Sequence, residues 1–278
     1  MVEMVYLGPQ GTFCEEAAKT FCHLTGLGLK ISPCPSIIDC AESVEDLKAR
    51  FGIVPLENSL EGSVHDTLEI LTTSHQLRIL AELDLNIEHC LLSRAAALAE
   101  IKRVYSHPQA FAQCKNFVRQ KLLHAQQIPV VSTAEAASVA AEQGAETAAI
   151  AGRQAAEYYD LPVFTAGIQD ARSTTRFIVL GREEDQIGEP IKTSLVFSVK
   201  NVAGSLYRVL GAFAAHKVNL TRIESRPAGS RLGDYIFFVD LDGALHDSAV
   251  RAALREAGRE AVMLKLLGSY PVLVPADA

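Results

Sequence analysis

The amino-acid sequence predicts an α/β protein built from two different regions. In the first region, apolar runs such as Phe51 to Leu56 and Ala148 to Ala151 alternate with segments of helical periodicity, a pattern typical of α/β architecture. A polar segment from Asp185 to Lys192, which contains Gly188 and Pro190, is the clearest linker. The order of predicted elements changes after it, so we expect a second, smaller domain there.

The first region opens with a predicted strand and an amphipathic helix. The strand covers residues 5–7 and ends at Gly8 and Pro9, which interrupt regular structure. The apolar residues that follow recur at the spacing of one helical face: Cys14, Ala17, Ala18, Phe21 and Cys22. Comparable patterns predict strands at residues 103–105, 129–131, 148–151 and 175–180, and helices that begin near residues 63, 106 and 132.

The second region has a different order of elements. Leu195, Phe197 and Val199 alternate with more polar neighbours, as in a half-buried strand. Two helices are predicted, by Leu206, Val209, Leu210 and Phe213 and by Val250, Leu254 and Ala257. The other strands cover residues 219–227, 234–241 and 263–270, and a turn containing Gly229 joins the first two. The order βαββαβ is that of a ferredoxin-like unit.

Composition restricts the classes of function. Of the 278 residues, 49% are hydrophobic and 21% are charged, which is typical of a globular, soluble protein. The net charge of −7 argues against a nucleic-acid-binding protein. No secretory signal and no membrane-spanning apolar stretch is evident, so we expect a cytoplasmic protein with no membrane partner. The six cysteines form no CxxC pair or metal-ligand cluster, and we expect reduced thiols and no metal.

Four predicted helix starts carry capping signals, in which a hydroxyl residue stands three positions before an acid or amide. They are Thr12 with Glu15, Ser63 with Asp66, Ser106 with Gln109, and Ser132 with Glu135. Free N–H groups at helix N-termini bind anions, and in open α/β sheets these ends converge on one crevice. The four signals therefore favour a crevice for a small anion, although each signal alone can simply begin a helix.

Five short motifs occur in a characteristic order along the chain. They are Gly8-Pro9-Gln10-Gly11-Thr12-Phe13, Val54-Pro55-Leu56-Glu57-Asn58-Ser59, Ser106-His107-Pro108-Gln109-Ala110, Ser173-Thr174-Thr175-Arg176-Phe177 and Glu224-Ser225-Arg226-Pro227. Through these motifs nearly the whole chain resembles the monofunctional prephenate dehydratases that carry a C-terminal ACT domain. The resemblance implies a two-lobed catalytic domain, like periplasmic binding proteins, at residues 1–183, and a ferredoxin-like ACT domain at residues 192–272. Lobe 1 is expected at about 1–79 and 160–183, and lobe 2 at about 80–159.

The resemblance also implies the reaction. Prephenate would lose its ring hydroxyl as water and its ring carboxylate as carbon dioxide, giving phenylpyruvate for L-phenylalanine biosynthesis. This chemistry requires no cofactor, in keeping with a sequence that has no GxGxxG fingerprint, P-loop or metal-ligand cluster. No helical segment precedes the first strand, so we expect no fused chorismate mutase. Two alternatives stay open, an arogenate dehydratase and a non-catalytic amino-acid sensor.

Thr175 is the implied catalytic residue, because it matches the essential threonine of the family's Thr-Arg-Phe motif. Its hydroxyl is expected to donate a hydrogen bond to the departing ring hydroxyl rather than to transfer its proton fully. Side chains alternate along a strand, so Phe177 shares the side of Thr175 and forms either a wall for the ring or part of the core. Arg176 points the opposite way, and either binds a carboxylate or forms a structural ion pair.

Further substrate-binding residues are implied around Thr175: Thr12, Phe13, Asn58, Ser59, Ser106, His107, Gln113, Thr133, Arg176 and Phe177. His107 is a candidate general acid, since histidine titrates near neutrality, but it also fits a capping role. Asn58 fits a turn, and Thr12, Phe13 and Thr133 fit capping or packing equally well. The chain departs from the family pattern at Cys14, Glu15 and Ser173.

The second domain is expected to bind L-phenylalanine as an allosteric effector and feedback inhibitor, at a subunit interface. The implied effector residues are Gly204, Ser205, Leu206, Asn219, Glu224, Ser225, Arg226 and Pro227. The effector loop departs from the family at Ala203, Ser205 and Tyr207. We expect a homodimer or homotetramer formed through the ACT domains. The alternative is a domain that only dimerises the chain.

Overall fold

The structure is a computed structural model that describes residues 2–182, 185–228 and 234–275. Its helices are α1 (Phe13–Thr25), α2 (Ile37–Glu45), α3 (His65–Thr73), α4 (Pro108–Gln113), α5 (Lys115–Lys121), α6 (Thr133–Gln143), α7 (Arg153–Tyr158), α8 (Ser205–Ala215) and α9 (Ser248–Glu260). Its strands are β1 (Val2–Leu7), β2 (Ile31–Cys34), β3 (Ala49–Asn58), β4 (Gly62–Ser63), β5 (Leu77–Ile87), β6 (Cys90–Ser93), β7 (Arg103–Ser106), β8 (Gln126–Pro129), β9 (Thr147–Ala151), β10 (Val163–Thr165), β11 (Ser173–Arg182), β12 (Lys192–Ser198), β13 (Leu220–Pro227), β14 (Tyr235–Asp242), β15 (Met263–Tyr270) and β16 (Val272–Leu273).

Two compact units divide the chain, and the predicted α/β class is confirmed. The first unit comprises Met1–Thr67, Leu83–Phe177 and Val274–Ala278, and the second comprises Leu68–Glu82 and Ile178–Leu273. The division falls within α3, β5 and β11. Among the described residues, no helix has the length and apolar character needed to cross a membrane.

Two sheets form the framework of the first unit. The strands that the first sheet contributes to this unit follow the order β5-β11-β3-β1-β2, with β4 paired to β3, and β1 runs parallel to both β2 and β3. The strand order of the second sheet is β10-β6-β9-β7-β8, in which β7 runs parallel to β8 and β9. Polar residues that follow parallel strands gather at one sheet edge, and this arrangement supplies much of the candidate site.

The amphipathic helix predicted after the first strand is α1. Its buried face contains Cys14, Ala17, Ala18 and Phe21, as the periodicity predicts, whereas Cys22 at the end of the predicted face is half-buried. The helix begins with Thr12 as its N-cap and ends at Gly26, which adopts the left-handed conformation that terminates many helices. The sequence therefore determines both ends of the element that carries Phe13.

The second unit contains the predicted βαββαβ order, as β12-α8-β13-β14-α9-β15. Its four strands pair antiparallel in the order β13-β14-β12-β15, which is the ferredoxin-like arrangement. Leu195 and Phe197 of β12 pack with Val209 and Phe213 of α8 in its core. The predicted turn at Gly229 lies outside the described residues.

Three local predictions were wrong. Ser63 lies in β4 and does not cap α3, while Ser106 lies in β7 and does not cap α4. Pro108 occupies the first turn of α4, so the N-cap position falls to His107. The strand predicted at residues 129–131 ends at Pro129, and Val131 beyond it is 85% exposed.

Candidate active site

A cavity of about 730 Å³ lies in the first unit, within the size range of small-molecule sites. Its wall is formed by strands of the first sheet, by loops that follow strands of both sheets, and by residues of α1, α4 and α6. The lining residues are Leu7, Gly8, Pro9, Thr12, Phe13, Cys14, Pro35, Pro55, Asn58, Val64, Ile87, His89, His107, Gln109, Ala110, Gln113, Val131, Ser132, Thr133, Glu135, Thr175 and Phe177. Among these described residues there is no lysine or arginine, so an anion in the cavity would depend on neutral donors.

Thr175 contributes its hydroxyl to the cavity from β11. The side chains of Ser173, Thr175 and Phe177 alternate onto the buried side of that strand, and Thr175 is 8% exposed. Asn58 Nδ2 donates to Thr175 Oγ1 and to Ser173 Oγ, each at 2.9 Å. Because Thr175 Oγ1 accepts this bond, its own proton is available to a group in the cavity.

The orientation of the Asn58 amide is fixed by the turn that follows β3. Asn58 Oδ1 accepts hydrogen bonds from the backbone N–H groups of Leu60 and Glu61, at 3.0 and 3.2 Å. The carbonyl side of the amide is therefore occupied, and the NH₂ side faces Ser173 and Thr175. Asn58 therefore has both of the roles considered for it: its oxygen stabilises the turn, and its nitrogen contacts Thr175.

Ser59 lies beside β11 but does not line the cavity. Its backbone N–H donates to the carbonyl of Thr174 at 2.9 Å, and its Oγ accepts from the N–H of Thr174 at 3.0 Å. These two bonds tie the turn after β3 to β11. Ser59 therefore positions Asn58 relative to Thr175.

Arg176 is also absent from the cavity wall. Its Nη1 lies 3.2 Å from Glu57 Oε2, and its Nε lies 3.6 Å from Asp84 Oδ1. Strand alternation turns this side chain away from Thr175, as the sequence predicts. Of the two roles open to Arg176, the geometry favours the structural ion pair, which joins β11 to its neighbours β3 and β5.

The first turn of α1 presents backbone donors to the cavity. Thr12 Oγ1 accepts from the N–H of Glu15 at 3.4 Å, while Glu15 Oε2 accepts from the N–H of Gly11 at 2.5 Å. The N–H groups of Phe13 and Cys14 come first in the helix and have no intrahelical partner. Both residues line the cavity, where the positive end of the helix dipole favours an anion.

The first turn of α6 provides a second set of donors. Ser132 Oγ accepts from the N–H of Glu135 at 3.0 Å, and Glu135 Oε2 accepts from the N–H of Val131 at 2.9 Å. This reciprocal capping box leaves the N–H of Thr133 without an intrahelical partner. Thr133 lines the cavity, so two of the four predicted helix starts contribute donors to the same space.

His107 lines the cavity, whereas its neighbour Ser106 is buried behind the wall. Ser106 Oγ donates to the carbonyl of Ile150 at 2.7 Å and so joins β7 to β9. His107 Nδ1 accepts from the N–H of Gln109 at 3.3 Å, as the cap of α4. An accepting Nδ1 carries no proton, so neutral His107 bears its proton on Nε2 and acts as a hydrogen-bond donor.

His89 lies in the cavity wall although no sequence motif indicates it. It follows β5 and is 4% exposed, and its Nε2 lies 3.1 Å from Gln113 Oε1. Phe13 meets the imidazole ring edge-on, with ring centroids 5.6 Å apart. Burial lowers the pKa of His89, against a smaller opposing effect of the Gln113 hydrogen bond. The ring is therefore neutral near pH 7.

Cys14 contributes a neutral thiol to the wall. Burial raises the pKa of this thiol to about 12, so the thiolate that nucleophilic chemistry needs is not formed near neutral pH. Together with Asn58, Thr175 and Gln113, the cavity is lined by uncharged donors. This donor set suits the binding and polarisation of anionic oxygens.

The effector residues predicted in the second unit are only partly brought together. Ser205 and Leu206 line a small depression of about 150 Å³ at the start of α8, next to Val199, Lys200, Asn201, Val202, Tyr235 and Phe237. Gly204 caps α8 in the left-handed conformation, with φ of 82°.

The other predicted effector residues lie on or beside β13. Asn219 Nδ2 donates to Asp242 Oδ2 at 2.8 Å, and Glu224 pairs with Arg222. Ser225, Arg226 and Pro227 complete that strand and do not line the depression.

Two family models match consecutive parts of the chain. A family model described as prephenate dehydratase matches residues 4–185, and one described as ACT domain matches residues 193–259. A bifunctional chorismate mutase/prephenate dehydratase from Neisseria gonorrhoeae is 41% identical over 275 residues, covering 98% of this chain and 75% of the relative. The prephenate dehydratase of Methanocaldococcus jannaschii is 39% identical over 275 residues, covering 97% and 98%.

A solved structure gives the same result. The prephenate dehydratase of Arthrobacter aurescens in complex with L-Phe superimposes with a TM-score of 0.87 at 36% sequence identity, covering 99% of this chain and 91% of that chain. The matches extend across the motifs around Asn58, Gln113 and Thr175. The chain therefore belongs to the prephenate dehydratase family and carries a C-terminal ACT domain.

Proposed function

We propose that the chain converts prephenate into phenylpyruvate, water and carbon dioxide in the cavity of the first unit, and that Thr175 is the catalytic residue. The observation that carries this proposal is the bond from Asn58 Nδ2 to Thr175 Oγ1. It leaves the Thr175 proton as a donor in a cavity that already contains helix N-termini suited to carboxylates. The family assignment supplies the reaction, and the geometry supports a role for each residue.

The proposed step breaks two bonds and balances with one proton. The bond between the ring and its carboxylate breaks and releases carbon dioxide, and its electron pair enters the ring as the carbon–oxygen bond to the hydroxyl breaks. The departing oxygen takes a proton, ultimately from solvent, and leaves as water. Thr175 donates a hydrogen bond to that oxygen as negative charge develops on it, an effect worth roughly 10²–10³ in rate.

The remaining polar groups bind the two carboxylates and the keto group of prephenate. The free N–H groups of Phe13, Cys14 and Thr133 and the Nε2–H of His107 are the donors that support this assignment. We assign Thr12, Asn58 and Gln113 to the same binding surface, with Phe177 as an apolar wall. Ser59, Ser106 and Arg176 belong to the proposed site as residues that hold its strands and turns in place.

The second unit supports a regulatory role. We propose that the loop before α8, with Gly204, Ser205 and Leu206, binds L-phenylalanine together with groups from β13, and that binding lowers activity by a shift of population. The proposed assembly is a homodimer or homotetramer through this domain. Edge strand β13 supports it, because Ile223 on that strand is exposed.

We also propose a cytoplasmic location and domain limits of 1–183 and 192–272. All six cysteines are free thiols, which is typical of proteins in reducing compartments. Within the catalytic domain the proposed lobes cover about 1–79 with 160–183 and about 80–159. The presence of two separate sheets supports a division into two lobes, with β5 in the first sheet and β10 in the second.

Supplying prephenate and arogenate separately tests the reaction. We expect phenylpyruvate from prephenate with a higher kcat/KM than that for phenylalanine formation from arogenate. The opposite preference would make the protein an arogenate dehydratase. Turnover of neither substrate, with L-phenylalanine still bound, would identify a non-catalytic sensor and overturn the proposal.

A further inference from the structure

His89 has a fixed place in the cavity wall. Its backbone N–H donates to Gln169 Oε1 at 3.0 Å, and its carbonyl accepts from the N–H of Ile168 at 3.0 Å. Both backbone hydrogen-bonding groups of His89, in the link between β5 and β6, are therefore occupied. A residue anchored in this way can hold a neighbour in position without a large loss of side-chain entropy.

The imidazole ring is held between two other residues of the wall. Phe13 packs edge-on against one side at an interplanar angle of 84°. Gly152 leaves the space that Phe13 occupies, since a Cβ atom at position 152 would lie 2.9 Å from the Phe13 ring. His89 Nε2 lies 3.1 Å from Gln113 Oε1. The ring therefore has one orientation in which it contacts the Gln113 amide.

The chemistry of this contact determines where the proton lies. A carboxamide oxygen can only accept a hydrogen bond, so His89 Nε2 must carry the proton. Burial keeps the ring neutral, which leaves Nδ1 without a proton. Nδ1 is buried and has no hydrogen-bond partner among the described residues. This unsatisfied acceptor destabilises the fold, and a cost of this kind is typical of functional sites.

Gln113 gains a defined orientation from the contact. With Oε1 occupied by His89, the NH₂ group of its amide remains as the donor side, and Gln113 lines the cavity. Asn58 is oriented in the same way, because its Oδ1 is held by backbone N–H groups and its NH₂ group faces Ser173 and Thr175. In both carboxamides the oxygen is occupied by a donor of the protein, and this contact sets the direction of the NH₂ group.

We propose that His89 is a positioning residue, whose Nε2–H holds the Gln113 amide so that its NH₂ group donates to a carboxylate or keto oxygen of the substrate. This inference rests on the proposed function and refines it. Without His89 the amide is free to rotate and to present its oxygen to the anionic substrate. That orientation is repulsive, so the loss affects binding and turnover rather than the fold alone.

The tautomer of His89 is directly measurable in the unmodified protein. In a ¹H–¹⁵N correlation spectrum of the intact chain labelled with ¹⁵N-histidine, we expect His89 as a neutral ring with the proton on Nε2 and a bare Nδ1. The signals are assigned by their absence in His89→Gln. A neutral ring with the proton on Nδ1 would reverse the Gln113 amide and overturn the proposal, even if prephenate is converted normally.

Two substitutions separate positioning from packing. Glutamine places an amide nitrogen near the position of His89 Nε2, so His89→Gln should keep kcat/KM for prephenate within about threefold. His89→Leu fills the space without a donor and should lower kcat/KM roughly 10- to 100-fold. In a Gln113→Ala background the same leucine substitution should have little further effect. Equal losses for His89→Gln and His89→Leu, or additive losses with Gln113→Ala, would refute the positioning role.

Discussion

Asn58 Nδ2 donates a 2.9 Å hydrogen bond to Thr175 Oγ1, across 117 positions of the sequence. The bond joins the last residue of β3 to the neighbouring strand β11. Thr175 Oγ1 accepts this bond, so the threonine keeps its own proton as a donor, and its side chain lines the cavity. The reactivity of Thr175 is therefore expected to depend on Asn58.

Asn58→Ala should lower kcat for prephenate by roughly 10- to 100-fold, because Thr175 loses its donor and the Leu60 and Glu61 N–H groups lose their acceptor. Ser173→Ala is the matched control. It removes the other acceptor of the Asn58 amide but leaves the bond to Thr175 intact, so its kcat should fall by less than about threefold. Equal losses of kcat in the two variants would show that catalysis does not depend on the hydrogen bond from Asn58 to Thr175.

Gly152→Ala should displace Phe13. The new Cβ would lie 2.9 Å from the Phe13 ring, and such overpacking costs about 1–3 kcal/mol. We expect a lower Tm and a higher KM for prephenate, since Phe13 lines the cavity. Gly28→Ala has no atom within 4 Å of its added Cβ and serves as the control. A Gly152→Ala protein with unchanged Tm and KM would contradict the packing described here.

Glu16 should make stability depend on pH. Burial, with smaller contributions from Glu157 and Glu88, raises the pKa of Glu16 from 4.5 to about 7, against a lowering hydrogen bond from Gln154. The folded state therefore binds the proton more tightly than the unfolded state. The stabilisation is fully present below pH 4.5 and is lost as the pH rises through about 7.

Glu16→Gln should remove this loss. The variant should have a higher free energy of unfolding than the unmodified protein at pH 8, by on the order of 1–3 kcal/mol, and a similar one at pH 5. Denaturant unfolding at both pH values measures the difference. Glu142→Gln, at an exposed position of α6, is the control. If Glu16→Gln raises the free energy of unfolding equally at both pH values, the pH dependence of stability does not come from this carboxyl.

Gly204→Ala should weaken the response to L-phenylalanine. The left-handed φ of 82° at this position costs an L-residue about 1–2 kcal/mol, and relief of that strain would move the loop before α8. We expect a higher L-phenylalanine concentration at half-maximal inhibition. Gly211→Ala lies within α8, where no atom lies within 4 Å of the added Cβ, and its response should be unchanged. An unaltered response in Gly204→Ala would remove the loop from the effector site.

The sequence predicts elements well where a local signal determines them. α1 has a capping threonine, an apolar face and a terminal glycine, and all three appear in the structure. Ser63 and Ser106 show the limit of such signals, since each has the capping pattern and each is taken into a strand instead. Strand pairing outweighs a local cap, which is worth only about 1 kcal/mol: Ser63 pairs with Glu57 of β3, and Ser106 pairs with Pro129 of β8.

Some residues of the candidate site could also be predicted from the sequence, and others could not. Thr175 and Asn58 belong to motifs and Gln113 follows one closely, so the family resemblance could select all three before their contacts were known. His89 could not, because a single histidine between two strands has no local signal. Its partners Phe13 and Gln113 are distant in the sequence, and only the fold brings the three side chains together. Arg176 shows that a motif residue can instead serve the framework.

The proposed role of the Thr175 hydroxyl is to stabilise the departing oxygen of prephenate. Its most direct test is phenylpyruvate formation from prephenate by the unmodified protein, Thr175→Ser and Thr175→Ala, with Tm as the control for folding. We predict that Thr175→Ser retains most of kcat, since the donor remains, and that Thr175→Ala loses roughly 10²–10³-fold with little change in Tm. A Thr175→Ala protein that turns over prephenate as fast as the unmodified protein would contradict the claim.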